Sequence, residues 1–117
     1  MAAVLIIDDE QTVRDMLSMI LSRHGYEVLM AADGEEGLAT FAARSEEIDL
    51  VLLDLSMPKM PGTEVLARIK DPEPDAQVVI LTGFAEDVEG IERATEILYK
   101  PYRMEEFLAM VRRLLGE

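Results

Sequence analysis

Three stretches of this chain are four apolar residues in a row, each closed abruptly by a polar one. They are Val4-Leu5-Ile6-Ile7 before Asp8, Leu50-Val51-Leu52-Leu53 before Asp54, and Val78-Val79-Ile80-Leu81 before Thr82. Runs this short, this uniformly apolar and this rich in Val, Ile and Leu read as β-strands buried on both faces. Strands of that kind belong to the interior of a parallel sheet with helices on either side. Parallel strands all end on the same edge, and open sheets of this class keep their chemistry at the carboxyl ends of the strands. The central run is the most informative. Asp54 is followed by Leu55-Ser56-Met57-Pro58, and Pro61-Gly62 closes the loop, so the chain cannot continue as a strand. An acid so placed is a candidate nucleophile for a phosphoryl group.

The segments between the runs supply the helices. Val13, Met16, Leu17, Ile20 and Leu21 recur at helical spacing, and Gly25 ends that helix. Tyr26 to Met30 is a short strand nearer an edge, because Glu27 interrupts it. Asp33-Gly34 turns the chain into a helix over Glu35 to Arg44, with Leu38, Phe41 and Ala42 inward. After Asp49–Leu53, Thr63 is placed to cap a helix that buries Val65, Leu66 and Ile69. Asp71-Pro72-Glu73-Pro74-Asp75 is a loop by composition. An acidic, poorly patterned segment covers Ala85 to Ala94, with Glu86-Asp87, Glu89 and Glu92 read as a solvated face. Ile97-Leu98-Tyr99 is a fifth strand, ending in Lys100-Pro101. A last helix runs from about Met104 to Leu115, with Phe107, Leu108, Val111, Leu114 and Leu115 inward.

Strands and helices thus alternate throughout, with no repeat, linker or low-complexity stretch, and residues 1–117 read as one domain. The expected fold is α/β and three-layered. Its five-stranded parallel sheet has the flavodoxin-like order 2-1-3-4-5 and helices on both faces, one of the few orders that right-handed crossovers leave.

Composition narrows the function. A formal net charge of −13 repels phosphate backbones, so direct nucleic-acid binding is not expected. The absence of cysteine removes disulfides and thiolate metal sites. No apolar run approaches the roughly 20 residues that span a bilayer. Nor is there a basic segment leading to a cleavage site. The expected location is cytoplasmic, away from the membrane.

The strand ends then define a constellation. Asp8 and Asp9, Asp54, Thr82 and Lys100 converge on one edge although they are far apart in the chain. At about 5 Å and an effective dielectric near 20, each pair of carboxylates repels by roughly 3 kcal/mol. A hard divalent cation removes that penalty, and an all-oxygen donor set with few protein ligands suits Mg²⁺. Phosphoryl transfer asks chiefly for positioning and charge neutralisation. Lys100 can neutralise phosphoryl oxygens, the Thr82 hydroxyl can hydrogen-bond one of them, and Gly83 leaves the approach to Asp54 open. Singly, Asp8 or Asp9 would be read as a helix cap and Lys100 as a surface lysine; together they read as a site. His24 is read as an ordinary residue near a helix C-terminus, and the eight Met residues mostly as core filler.

Ile6-Ile7-Asp8-Asp9-Glu10, Leu52-Leu53-Asp54-Leu55-Ser56-Met57-Pro58 with Gly62, Leu81-Thr82-Gly83 and Lys100-Pro101-Tyr102 together resemble the receiver domain of bacterial two-component response regulators. The resemblance covers essentially the whole chain. It implies that Asp54 is phosphorylated by a histidine kinase or a histidine phosphotransfer domain. It implies that Asp8, Asp9, Asp54 and the backbone carbonyl of Ser56 hold Mg²⁺, that Thr82 and Lys100 bind the phosphoryl group, and that the Lys100–Pro101 peptide is cis. Phosphorylation would draw Thr82 inward and shift the face built from a fourth helix, the fifth strand and a fifth helix, for an output domain or target protein. No turnover of a separate substrate is implied.

The chain departs from that pattern in its switch region of Thr82, Ile97 and Pro101. Ile97 stands where the family usually has an aromatic residue, and the interval from Thr82 to Lys100 is about one helical turn short. Phe84, Tyr99 and Tyr102 are the aromatic candidates to take its place. Three other readings are weighed. A haloacid-dehalogenase-like phosphatase needs a second acid two residues after its nucleophile, where this chain has Ser56. A flavin-binding module needs a first loop that welcomes phosphate, where this chain has Asp8-Asp9-Glu10. A phosphorylation-independent interaction module on the same fold would not need the acid, Thr and Lys set.

Overall fold

The apolar runs do become fully buried strands, and alternate residues along each serve opposite faces of the sheet. The computed structural model describes residues 2–83 and 90–117. Its elements are β1 (Ala3–Ile7), α1 (Gln11–Arg23), β2 (Glu27–Ala31), α2 (Gly34–Arg44), β3 (Ile48–Asp54), α3 (Gly62–Lys70), β4 (Val78–Thr82), β5 (Glu96–Tyr99) and α4 (Met104–Leu114). The sheet order is β2-β1-β3-β4-β5 and every pairing is parallel. Val4, Ile6, Leu50, Leu52, Val79 and Leu81 point to one face, where Leu17 and Leu21 of α1 and Phe107, Met110 and Val111 of α4 cover them. Leu5, Ile7, Val51, Leu53, Val78 and Ile80 point to the other, under Phe41 of α2 and Val65, Leu66 and Ile69 of α3.

The sheet register sets the height of the site. Ile7 lies opposite Leu53, so Asp8 and Asp54 finish adjacent strands at the same level. Asp54 lies opposite Leu81 and Thr82 opposite Tyr99, which carries Thr82 and then Lys100 one step further along the same edge. On the second face, α2 sits directly on β1 at Gly37. A Cβ there would stand 2.5 Å from Ile7 Cδ1, closer than any side chain could lie.

Several local expectations need correction. Thr63 does not cap α3: the helix begins at Gly62 with Pro61 at the N-cap, and Thr63 lies inside the first turn. Pro61 supplies the extended entry and its missing N–H is no loss there. Met16 is 40% exposed rather than inward, since Leu17 and Leu21, with Val13 partly covered beside them, form the α1 stripe. Ala42 is exposed, and Gly34 and Gly37 take the inward positions of α2 beside Phe41. In α4 the third buried residue is Met110, while Leu108, Leu114 and Leu115 are only partly covered. Tyr26 precedes β2 rather than opening it, and its hydroxyl donates to Glu117 Oε1 at 2.9 Å. The acidic segment from Ala85 falls largely outside the described residues, so the fourth helix that the resemblance implies has no counterpart among them. Residues 90–95 form turns, with the Ala94 N–H donating to the Ile91 carbonyl. Among the described residues no helix is long and apolar enough to cross a membrane.

Candidate phosphoacceptor and metal site

Each side chain of the site is held by the strand end it follows. The Asp8 N–H donates to the Ala31 carbonyl at 3.1 Å and so extends the β1–β2 ladder by one rung. Leu55 N–H donates to Leu81 O at 3.3 Å, and Lys100 N–H to Thr82 O at 2.8 Å. The Lys100–Pro101 peptide is cis. Asp8, Asp54 and Thr82 are buried, Asp9 and Ser56 are exposed, and Lys100 is half-buried.

These placements bring three carboxylates together: Asp8, Asp9 and Asp54 each offer an oxygen, and the three oxygens lie within 4.8 Å of one another. Asp54 Oδ1 accepts from the Ser56 N–H at 3.2 Å and faces Lys100 Nζ at 3.5 Å. Asp8 Oδ1 accepts from the Glu10 N–H at 2.9 Å, while Asp8 Oδ2 is buried with no partner. Glu10, not Asp8 or Asp9, is the N-cap of α1. Ile97 is half-buried on the α2–α3 face of the sheet, packed with Ala94 against that cluster. Phe84 lies outside the described residues. Beside Gly83 the space is open: a Cβ there would meet nothing within 4 Å among the described residues.

The electrostatics follow from burial. Desolvation pushes the Asp8 carboxyl up to about 6 from 3.8; the Asp54 and Asp9 charges add to this, and the Glu10 N–H and Lys100 oppose it. Asp54 is also raised from its ordinary value, by burial first and the Asp9 charge last, against Lys100 and the Ser56 N–H. Crowded acids, two of them buried and one with an orphaned oxygen, form a donor set that a hard divalent cation fits. The cation would take up the unpartnered Asp8 oxygen and relieve the mutual repulsion.

Two contributors escaped the sequence reading or gained weight from the structure. Arg14 Nη1 donates to the Asp8 carbonyl at 2.7 Å and ties α1 to the strand end. Nothing in the spacing of a lone helical arginine announces that contact. Gly62 is needed for close approach: a Cβ would lie 2.9 Å from Leu55 Cα and 3.2 Å from the Asp54 carbonyl oxygen. Both are backbone atoms that cannot rotate aside. Gly62→Ala is therefore expected to push the loop after Asp54 outward and to lower stability by about 1–3 kcal/mol, read from the urea midpoint. An unchanged midpoint would show that the loop yields freely.

Comparison with known proteins agrees with this arrangement. Residues 4–112 match the family described as the response regulator receiver domain. The response regulator MprA of Mycolicibacterium vanbaalenii is 38% identical over 116 residues, which are 96% of this chain and 49% of that protein. The chain thus spans about half the length of the curated relatives it matches. Among solved structures, the Thermotoga maritima response regulator TrrA in complex with Mg²⁺-BeF superposes with a TM-score of 0.89 at 33% identity, covering 97% of this chain and 99% of that one. TrrA in complex with the histidine kinase ThkA gives 0.87 at 34% identity, covering 98% and 99%.

Proposed function

Given that the chain belongs to the response regulator receiver family, we propose that Asp54 accepts a phosphoryl group in a Mg²⁺-dependent transfer from a phosphohistidine. One observation carries this reading. A buried carboxylate, Asp54, stands 3.5 Å from an ammonium, and one of its oxygens lies within 4.8 Å of an oxygen from each of two further carboxylates.

A carboxylate oxygen of Asp54 attacks phosphorus in line. The new O–P bond forms as the donor's N–P bond breaks, and the leaving imidazole carries away its electron pair and takes up a proton. Lys100 follows the transferred charge, since its ammonium already faces Asp54 and can turn to a phosphoryl oxygen. The Thr82 hydroxyl, at the end of β4, donates to another. Asp8, Asp9, Asp54 and the Ser56 carbonyl would hold Mg²⁺, which supplies charge neutralisation for the phosphoryl oxygens. The Ser56 N–H keeps the Asp54 side chain aimed, and Arg14 steadies the Asp8 end.

The donor is a histidine kinase or a histidine phosphotransfer domain, a reading supported by the kinase complex of TrrA. The chain acts as a cytoplasmic signalling domain, residues 1–117 forming one unit. It serves an output domain or separate target through the face that β5 and α4, the last helix, share with the fourth helix implied by the resemblance, and does not turn over a second substrate. Acetyl phosphate with Mg²⁺ tests the core of this. One phosphoryl group should be added by intact mass, mapped to the peptide that carries Asp54, and lost on chelation of the metal before mixing. Steady release of phosphate from a phosphate ester beyond one equivalent would instead favour a phosphatase.

A further inference from the structure

Asp8 has one polar hydrogen and three oxygens to satisfy, and the protein occupies all of them but one. Its N–H donates to the Ala31 carbonyl, its carbonyl accepts from Arg14 Nη1 at 2.7 Å, and its Oδ1 accepts from the Glu10 N–H. What remains is Oδ2, buried and without a partner among the described residues. The main chain of Asp8 is thus pinned from β2 on one side and from α1 on the other.

The tie from α1 is made by an arginine where a cap would ordinarily serve. Glu10, the N-cap of α1, makes no side-chain cap hydrogen bond. Arg14 instead closes on the turn at two points: its N–H donates to the Glu10 carbonyl at 3.1 Å, and its half-buried guanidinium reaches back to the Asp8 carbonyl. The span between those two points is Asp8-Asp9-Glu10, which carries two of the three carboxylates that crowd within 4.8 Å. The guanidinium grips main chain rather than a carboxylate, so it acts on the acids through the backbone that carries them. A hydrogen bond with a charged donor is roughly twice as strong as a neutral one, and this one is short.

We propose that Arg14 is a positioning residue for the divalent cation, its hold on the Asp8 carbonyl keeping the Asp8 and Asp9 carboxylates in the arrangement the cation needs. The inference rests on the phosphoreceiver reading of Asp54 and names a residue, itself no ligand, on which the metal affinity depends.

The sign of the effect separates this role from simple charge. Arg14 is a cation on the turn that bears two of the acids, so on charge alone its removal strengthens the binding of a second cation. Loss of positioning weakens that binding, because the metal must then order the turn itself. The two effects oppose each other, and the direction of change decides between them.

Mg²⁺ titrated into the whole isotope-labelled chain, followed by the amide resonances of residues 8–10 and 54–56, measures the affinity. Arg14→Met keeps an unbranched stem that suits a helix and loses the donor. It should bind Mg²⁺ about tenfold more weakly than the wild type. Arg23→Met makes the same change of charge at the far end of α1 and should leave the affinity unchanged. A merely structural arginine would lower the urea midpoint in chelator and leave the Mg²⁺ affinity where it was. Binding by Arg14→Met that equals or exceeds the wild type's, or an equal loss in Arg23→Met, overturns the positioning role alone. Absence of any Mg²⁺-dependent shift in the wild type overturns the metal-dependent reading of the site, and the role of Arg14 with it.

Discussion

Asp54→Asn is expected to reduce phosphoryl incorporation from acetyl phosphate to background, a loss of at least about a hundredfold, because it removes the nucleophile itself. The substitution is nearly isosteric at a site that is 3% exposed. An Asn Oδ1 can still accept from the Ser56 N–H, so the loop geometry has no cause to change. What disappears is a second anionic oxygen able to attack phosphorus, since an amide nitrogen is not a nucleophile at neutral pH. Lys100 loses its partner, but its side chain is 34% exposed and can turn to water. Folding is therefore preserved, and relief of a buried charge makes the variant at least as stable as the wild type. Time-resolved intact mass with Mg²⁺ present separates the outcomes. Incorporation by the Asn variant at the wild-type rate would remove Asp54 from the role of acceptor.

The second large effect is expected at Asp8. Its folded-state value of about 6 lies above the ordinary 3.8, so the folded chain binds this proton more tightly than the unfolded one. Between those values the unfolded state holds fewer protons, and stability falls as pH rises. In the metal-free protein Asp8 thus contributes a penalty that grows from about pH 4 through about pH 6 and is then constant. Asp8→Asn carries no such penalty. In chelator, the variant should exceed the wild type by about 3 kcal/mol at pH 7.5, with the gap closing as pH falls below 6. Mg²⁺ should reverse the ranking in part. A cation that binds only the folded chain stabilises it, and removal of a direct ligand should weaken that binding by tenfold or more. Urea titrations from pH 5 to 8, with chelator and with Mg²⁺, measure both. A pH-independent gap would mean that Asp8 is not the group that titrates.

The difference between these residues and those that were misjudged is one of distance in the chain. The strands, their order and the edge on which Asp8, Asp54, Thr82 and Lys100 meet were legible because a four-residue apolar run ended by a polar residue is a local signal. Parallel pairing then leaves little choice of where the ends go. Met16 and Met110 were not legible, because helical spacing offers a wide apolar stripe and only the opposing strands decide which of its members are covered. Gly37 was silent for the same reason: its need for close approach comes from Ile7, thirty residues earlier. Pro61 overrode the Thr63 cap through its fixed backbone angle. The grip of Arg14 on the Asp8 carbonyl and the stacking of Tyr102 on Phe107 are tertiary facts. Neither pattern nor propensity encodes them, and they surround the site rather than compose it.

The strand order has one more consequence. Asp8 and Asp54 ride on β1 and β3, each flanked by a neighbour on both sides, whereas Lys100 follows β5, which among the described residues is paired along one side only. Local opening of a sheet begins at its margins. The pocket is accordingly built like a vice with one fixed jaw, which is anionic, and one yielding jaw, which is cationic. A phosphoryl group on the proposed acceptor would then meet the half of the site that is held from one side.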